Sequence, residues 1–389
     1  MKFAAATGSG PGRIRALNRR AVLAHIRRYG PTSRTALGSA LELSAAGVSS
    51  VVSELISDGL LRDAEAGPGE NRLGRPVALL ELAPAAAYTF GLVLRPEAGK
   101  VRIESAWADY AGRVRVTPNP LTHDLDELQV VVAGVLAALQ HLQESVPDIG
   151  SVAGLTIGTP GVVENEHIHI APQLPVIEGD AFLAALRGQL AYPFELENDV
   201  NLAAFSELHQ QPRLRDSSFA YLFIGSGVGA GLALRGQPWA SHGWAGEIGQ
   251  LRITRAAGRR ESFEELLSTD TLAAKLEALG LPRDGFDELA KAIEARNRRT
   301  LRLIDTYAAH LCDLIQVLNA VLDLDEVILD FPSEILLQQL LPRVRHLIAE
   351  SPLKVAISTP AMAHNAAVSG AALSSLYRAL SKLEQRAER

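Results

Sequence analysis

The chain has 389 residues, 47% of them hydrophobic and 21% charged, which gives room for two or three domains with sizeable cores. Its single cysteine, Cys312, excludes an internal disulfide and a thiolate zinc cluster and suits a reducing cytosol, so a cytoplasmic protein is expected. Residues 1–80 carry 11 Lys and Arg against 6 Asp and Glu, the rest 27 against 38. A basic head on an acidic body points to a polyanion partner for the head alone. No apolar run approaches the roughly 20 residues that cross a bilayer, so no membrane partner is expected.

In chain order, residues 1–12 read as a flexible tail whose apolar stretch is too short for a signal peptide. Residues 17–29 set Leu17, Val22, Leu23 and Ile26 on one face, the pattern of an amphipathic helix. Gly30-Pro31 breaks it, and Thr32 or Ser33 can cap a second helix carrying Ala36, Leu37, Ala40 and Leu41. Ser44 is the natural cap of a third, with Val48, Val51, Val52, Leu55 and Ile56 as its buried stripe and Gly59 as its stop. Two strand-like segments around a Gly/Pro/Asn-rich tip then read as a hairpin. Three short helices and a hairpin over residues 13–82 are the pattern of a winged helix-turn-helix, which lays its third helix in the major groove of double-stranded DNA. A small helical interaction domain is the alternative, disfavoured by the basic balance. Ser44, Ala45, Ala46, Ser49, Ser50 and Ser53 are the candidate base-reading set. Serines discriminate bases weakly, and alanine can touch a thymine methyl. Arg34 suits a phosphate, and Arg75, in Gly74-Arg75-Pro76, suits a narrow A·T-rich minor groove.

"LAPAAAY" (82–88) reads as the linker to a body at 83–389, which repeats one theme. Strands with turns, a helix over 125–144 and a buried strand ending in "GTPG" make the first half. "SFAYLFIGSGVGAGLALRGQPW", helices over 263–279 and 298–322 and the strand 326–330 make the second. Sheet-first halves crossed by helices indicate an α/β architecture of two related lobes with a ligand cleft between them. Cys312, inside the periodic 298–322 segment, is expected to be a buried small hydrophobe. At "ELENDVNLAAFSEL", Asn198-Asp199 stands at a strand-to-helix corner. That is a place for a general base, a ligand acceptor or simply a helix cap.

"SRTAL…LSAAGVSSVVSELISDGLL", "GRP" (74–76), "GTPG" (158–161), "APQLPVIEG" (171–179), "ENDVNLAAFSE" (197–207), "GSGVGAG" (225–231) and "GEIG" (246–249), in this order, resemble the ROK family, specifically its repressor branch. The resemblance implies an actin-like (ribonuclease H-like) two-lobed body that binds a sugar in its cleft, with ATP above it in the family's kinases. It also implies a winged helix-turn-helix in the repressors and a homodimer or dimer of dimers. Residues that match the family's sugar-holding positions are Asn198, Asp199, Glu247 and Glu264, with Gly158 and Thr159 in the adjoining turn. Asp199 is the position of the kinases' general base. Gln250 replaces a His expected near the sugar, and Gln173 an Asn.

The departures are as informative. The kinase turn Asp-x-Gly-Gly-Thr is replaced by Leu94-Arg95-Pro96-Glu97, and Pro96 removes a backbone donor. Asp330-Phe331 stand where paired glycines flank the nucleotide, adding a charge and a bulky ring. "GSGVGAG" is followed by a strand, so it reads as a closely packed glycine hairpin rather than a phosphate loop. The family's zinc ligands are replaced by Gln250, Arg255, Ala257 and Ser262, so no metal and no cofactor are expected. The sequence thus describes a DNA-binding regulator of carbohydrate-related genes, not an enzyme. A kinase doubling as a regulator and a ligand-free oligomerisation scaffold are the alternatives.

Overall fold

Three helices open the chain: α1 (Pro11–Tyr29), α2 (Arg34–Leu41) and α3 (Ala45–Ser57). This is a computed structural model that describes residues 11–64, 78–97, 99–146, 152–240, 242–254 and 258–386. Helix α1 starts earlier than its apolar period, at Pro11, where the missing N–H costs nothing. Ser33 and Ser44 cap α2 and α3 by accepting from the backbone N–H groups of Ala36 and Gly47. Across the intervening Glu42, at φ 55°, the two helix axes bend by 117°. Val48, Val51, Val52 and Leu55 are buried as the period requires, but Ile56 lies at the edge of the stripe and is exposed. Strands β1 (Thr32–Ser33), β2 (Leu61–Asp63) and β3 (Leu79–Leu82) form an antiparallel sheet in the order β1-β3-β2. The tip between β2 and β3 that carries Arg75 falls at residues 65–77, outside the described residues.

The first lobe runs through β4 (Tyr88–Glu97), β5 (Lys100–Asp109), β6 (Val114–Val116), β7 (Leu121–Asp124), α4 (Leu128–Ser145) and β8 (Val152–Thr159). It continues with β9 (Val162–Glu164), β10 (His167–Ile170), α5 (Ala181–Arg187), β11 (Phe194–Asn198) and α6 (Asp199–Gln210). The second contains β12 (Phe219–Ile224), β13 (Val228–Leu234), β14 (Gln237–Pro238), β15 (Arg252–Thr254), β16 (Arg260–Ser262), α7 (Phe263–Leu267), α8 (Thr269–Ala278) and α9 (Phe286–Glu294). It ends with α10 (Arg298–Leu322), β17 (Glu326–Asp330), α11 (Glu334–Glu350), β18 (Ala356–Ser358) and α12 (Ala366–Arg386).

Both lobes are wired alike. In the first, β4 pairs antiparallel with β5 and parallel with β8, and β8 parallel with β11. In the second, β12 pairs antiparallel with β13 and parallel with β17, and β17 parallel with β18. Each final strand then feeds a helix, α6 or α12, and these two helices pack on one another between the sheets. The contact is backbone-close: a Cβ on Gly370 of α12 would lie 1.8 Å from the Leu202 carbonyl oxygen of α6. Gly370→Ala is therefore expected to destabilise the fold by about 1–3 kcal/mol, the usual cost of overpacking, read from denaturant unfolding. Cys312 is buried in the second lobe's core, as its period indicated.

The segment expected as a linker is short and ordered. Leu82 ends β3, a single 3-10 turn covers Pro84–Ala86, and Tyr88 begins β4. The head's core does not stop there. Val22, Leu37, Val52, Leu55 and Leu80 share one cluster with Tyr110 of the first lobe and with Leu376 and Leu380 of α12. Helix α12 thus touches the second lobe, the first lobe's sheet and the head.

Candidate functional site

At the β11–α6 corner the local chemistry divides two neighbouring residues. The Asn198 side-chain oxygen accepts from the N–H groups of Val200 and Asn201, both at 2.9 Å, and its amide donates to the Gly161 carbonyl at 2.8 Å. Asn198 is therefore the helix cap and ties α6 to the "GTPG" turn, rather than presenting its amide to a ligand. Asp199, the first helical residue, is largely buried, and the guanidinium of Arg95 lies 4.0 Å from its carboxylate. Burial pushes the Asp199 carboxyl up to about 6, against the pull of Arg95 and of the helix's first N–H groups.

Arg95 does not hang in solvent. Its Nε donates to Glu104 at 2.9 Å, and its guanidinium sits 5.7 Å from the Phe223 ring of the other lobe. Burial opposes its charge, but Glu104, Asp199 and Asp330 outweigh it and raise its pKa. Arg95 is thus held as a fixed cation beside Asp199.

Glu247 and Glu264 approach Asp199 from the second lobe. Glu247 precedes a 3-10 turn at Ile248–Gln250, and burial, then the charges of Asp199 and Glu264, raise it to about 7. Glu264, in α7, accepts from the Val228 N–H and from the exposed Gln250 amide, both at 3.4 Å, and burial raises its pKa. Gln173 comes across from the first lobe, against Gly227. Gly158 has a packing role, because a Cβ there would meet Leu202 at 2.8 Å. Thr159 is fully buried, and its hydroxyl has no partner among the described residues, the kind of orphan that a ligand or water satisfies. His242 is exposed and lies 3.4 Å from Glu164. Asp199, Glu247 and Glu264 converge as acceptors with amides nearby, which is chemistry for neutral hydroxyl groups.

Because Asp199 and Glu247 hold their protons to higher pH than an unfolded chain does, the folded state binds more protons from the usual carboxylate range up to about 7. These two groups destabilise the fold progressively as pH rises through that window. Unfolding free energy is expected to decline between about pH 4 and about pH 7, with part of the decline removed by Asp199→Asn.

Three other positions differ from, or refine, the sequence reading. Asp330 lies buried and accepts from Tyr221 at 2.7 Å, whereas Phe331 turns into the second lobe's core beside Tyr307, so its ring does not enter the cleft. "GSGVGAG" forms the β12–β13 hairpin, and Gly231 lets β13 approach the Val200 carbonyl of α6, where a Cβ would stand at 2.3 Å. At the family's zinc positions, Ser262 caps α7 in a capping box with Glu265, Gln250 is exposed, and Arg255 and Ala257 fall outside the described residues. Gln250 and Ser262 supply neither imidazole nor thiolate, so the described part of this set does not fit a zinc ion.

The DNA-reading candidates form a separate group, on the head. Ser44, Ala45, Ala46, Ser49, Ser50 and Ser53 are all exposed on α3 and belong to one uncovered surface. Ser50 donates to Glu54 at 3.1 Å, and Glu54 is also held by Arg15 and Arg19. Arg34 opens α2, half-exposed and 3.8 Å from Asp63.

A family model described as "ROK family" matches residues 120–376. A xylose repressor of Staphylococcus xylosus is 23% identical over 322 residues, covering 81% of this chain and 82% of its own. A putative xylose repressor of Caldicellulosiruptor sp. is 24% identical over 244 residues, covering 62% of this chain and 59% of its own. Among solved structures, a ROK family transcriptional regulator described as a homologue of the E. coli MLC protein superposes with a TM-score of 0.75 at 20% identity, over 96% of this chain and all of that one. A ROK family glucokinase from Streptomyces griseus, solved with glucose and AMPPNP, gives 0.59 at 18% identity over 74% of this chain and 98% of its own.

Proposed function

The chain belongs to the ROK family, and from that premise we propose that it is a sugar-responsive transcriptional regulator, a repressor of carbohydrate-related genes. Residues 13–82 act as a winged helix-turn-helix on double-stranded DNA and residues 83–389 as the sensing and oligomerising body. The observation that carries the reading is the uncovered α3 face, presented by a helix pair bent at 117° and seated on a body with its own acceptor-lined cleft. The xylose-repressor names of its relatives agree with it.

In this reading Asp199, Glu247 and Glu264 accept from sugar hydroxyls, Gln250 donates, and Arg95 holds Asp199 as an ionised acceptor. The cation beside Asp199 supports a body that senses rather than phosphorylates: it engages the acid that a kinase would use as its general base. Sugar binding shifts the lobe angle, α6 and α12 move with it, and the heads of a homodimer change their spacing. Their half-sites must lie about one helical turn apart or a multiple of it.

In vitro selection of duplexes by the full-length protein tests the proposal. Enrichment of a two-fold symmetric site is expected. A pool that stays random, or steady transfer of phosphate from ATP to a hexose, contradicts it. On the selected site, Arg75→Ala is expected to weaken binding by about 1–3 kcal/mol and to relax the preference for A·T pairs beside each half-site, measured by fluorescence anisotropy. Unchanged affinity and preference would remove Arg75 from the interface.

A further inference from the structure

Beneath the head lies a cavity of about 340 Å³ that shares none of Asp199, Glu247 and Glu264. Its walls come from both parts of the molecule: Arg27 of α1, Glu197 of β11, Asn201 of α6, Trp239 after β14, and Tyr377 and Arg378 of α12. We propose that it is a second ligand site, taking a neutral polyhydroxylated ring, a saccharide, stacked on the Trp239 indole.

The platform is the first reason. Trp239 is 49% exposed, an uncovered large aromatic at the edge of a cavity that Phe205 and Tyr377 also line, and Tyr377 is held in place by its neighbours. Phe205 meets Tyr377 edge-on at 5.4 Å, His209 lies 4.2 Å from it, and the Arg27 guanidinium covers it at 4.8 Å. An indole face beside a fixed ring offers apolar surface to the C–H face of a sugar.

The polar groups are the second. Arg27 and Arg378 are donors, Glu197 is an acceptor, and Asn201 is both, the mixture that hydroxyl groups require. Asn201 already donates to Glu197 at 3.2 Å, which fixes both. Charge is the third. Glu195 and Glu197 alternate along β11 with the core residue Leu196, so both face α12, where Arg378 pairs with Glu195 and lies 3.7 Å from Glu197. Two cations against two carboxylates leave no net charge to draw an ion. The volume falls within the roughly 300–1,000 Å³ of small-ligand pockets. A ligand here touches head and body at once, so its occupancy bears directly on how the head is seated.

The test is calorimetric titration of the full-length chain with D-xylose, D-glucose, N-acetyl-D-glucosamine and sucrose, in an Asp199→Asn background that weakens the cleft. At least one of these sugars is expected to bind that variant saturably at one site. Adding Trp239→Ala or Asn201→Leu should weaken this binding at least tenfold, whereas Trp239→Phe should preserve it. If none of the four binds the Asp199→Asn chain, or if Trp239→Ala leaves the binding unchanged, the proposal is overturned. Failure of the cleft reading looks different: wild-type binding indifferent to Asp199→Asn and abolished by Trp239→Ala.

Discussion

Exchange of Asp199 for asparagine is expected to weaken sugar binding in the cleft by about tenfold to a hundredfold, the range for a lost hydrogen bond to a charged acceptor. The substitution preserves shape and leaves Asn198 to cap α6 as before, so the unfolding midpoint at neutral pH should not fall. It also alters the pH profile. Hydroxyl donors favour the ionised acceptor, and Asp199 titrates at about 6 and Glu247 at about 7. Wild-type affinity should therefore decline as pH falls through that window, and the variant should retain only the upper part of the decline. A calorimetric titration series reads both. Equal affinity in wild type and variant at neutral pH would take Asp199 out of the site.

The second large effect is expected at Leu376→Ala. Leu376 is 1% exposed and belongs to the cluster that also contains Val22, Leu37 and Val52 of the head. Removing three buried carbons there should cost about 2–5 kcal/mol, depending on how far the cavity collapses. The position is on α12, anchored on one side by Gly370 against α6. On the other, Gly91 lies so close to α12 that a Cβ would meet the Ala372 nitrogen at 2.3 Å. The body's end of the helix should stay in place while the head's end loosens. Sugar affinity is expected to persist while the effect of sugar on DNA affinity shrinks. Denaturant unfolding and DNA titrations with and without sugar measure the two parts. A stability loss below about 0.5 kcal/mol would show that the head does not depend on α12.

Much of this architecture was legible because its signals are local. Ser33 and Ser44 cap the helices they precede, the 298–322 period became α10, and residues 326–330 became β17. The paired lobes were legible too, from the repeated strand-first order. What escaped was non-local. Leu94-Arg95-Pro96-Glu97 departs from the kinase turn that the resemblance implies, but nothing local says that Arg95 pairs with Glu104 and reaches Asp199, more than a hundred residues away. The sequence offers Asn198 and Asp199 the same roles, although helix geometry gives the cap to one and the cleft to the other. Phe331 reads from the sequence as a bulky ring where the family's kinases flank a nucleotide with glycines, and the fold instead packs it into the second lobe's core. The apolar stripe of α12 announces burial without saying that three bodies share it. Trp239 and Tyr377, far apart in sequence, carried no signal at all until the fold joined them at one cavity.

The central claim is that one chain reads DNA with its head and a sugar with its cleft, the second altering the first. It is tested most directly on a duplex obtained by selection, whose affinity for the full-length protein is measured with and without a sugar that raises the melting midpoint. The account predicts that the sugar changes the wild-type dissociation constant for DNA by about fivefold or more and leaves that of Asp199→Asn unchanged. A wild-type protein that binds the sugar and holds its DNA with the same affinity would contradict it.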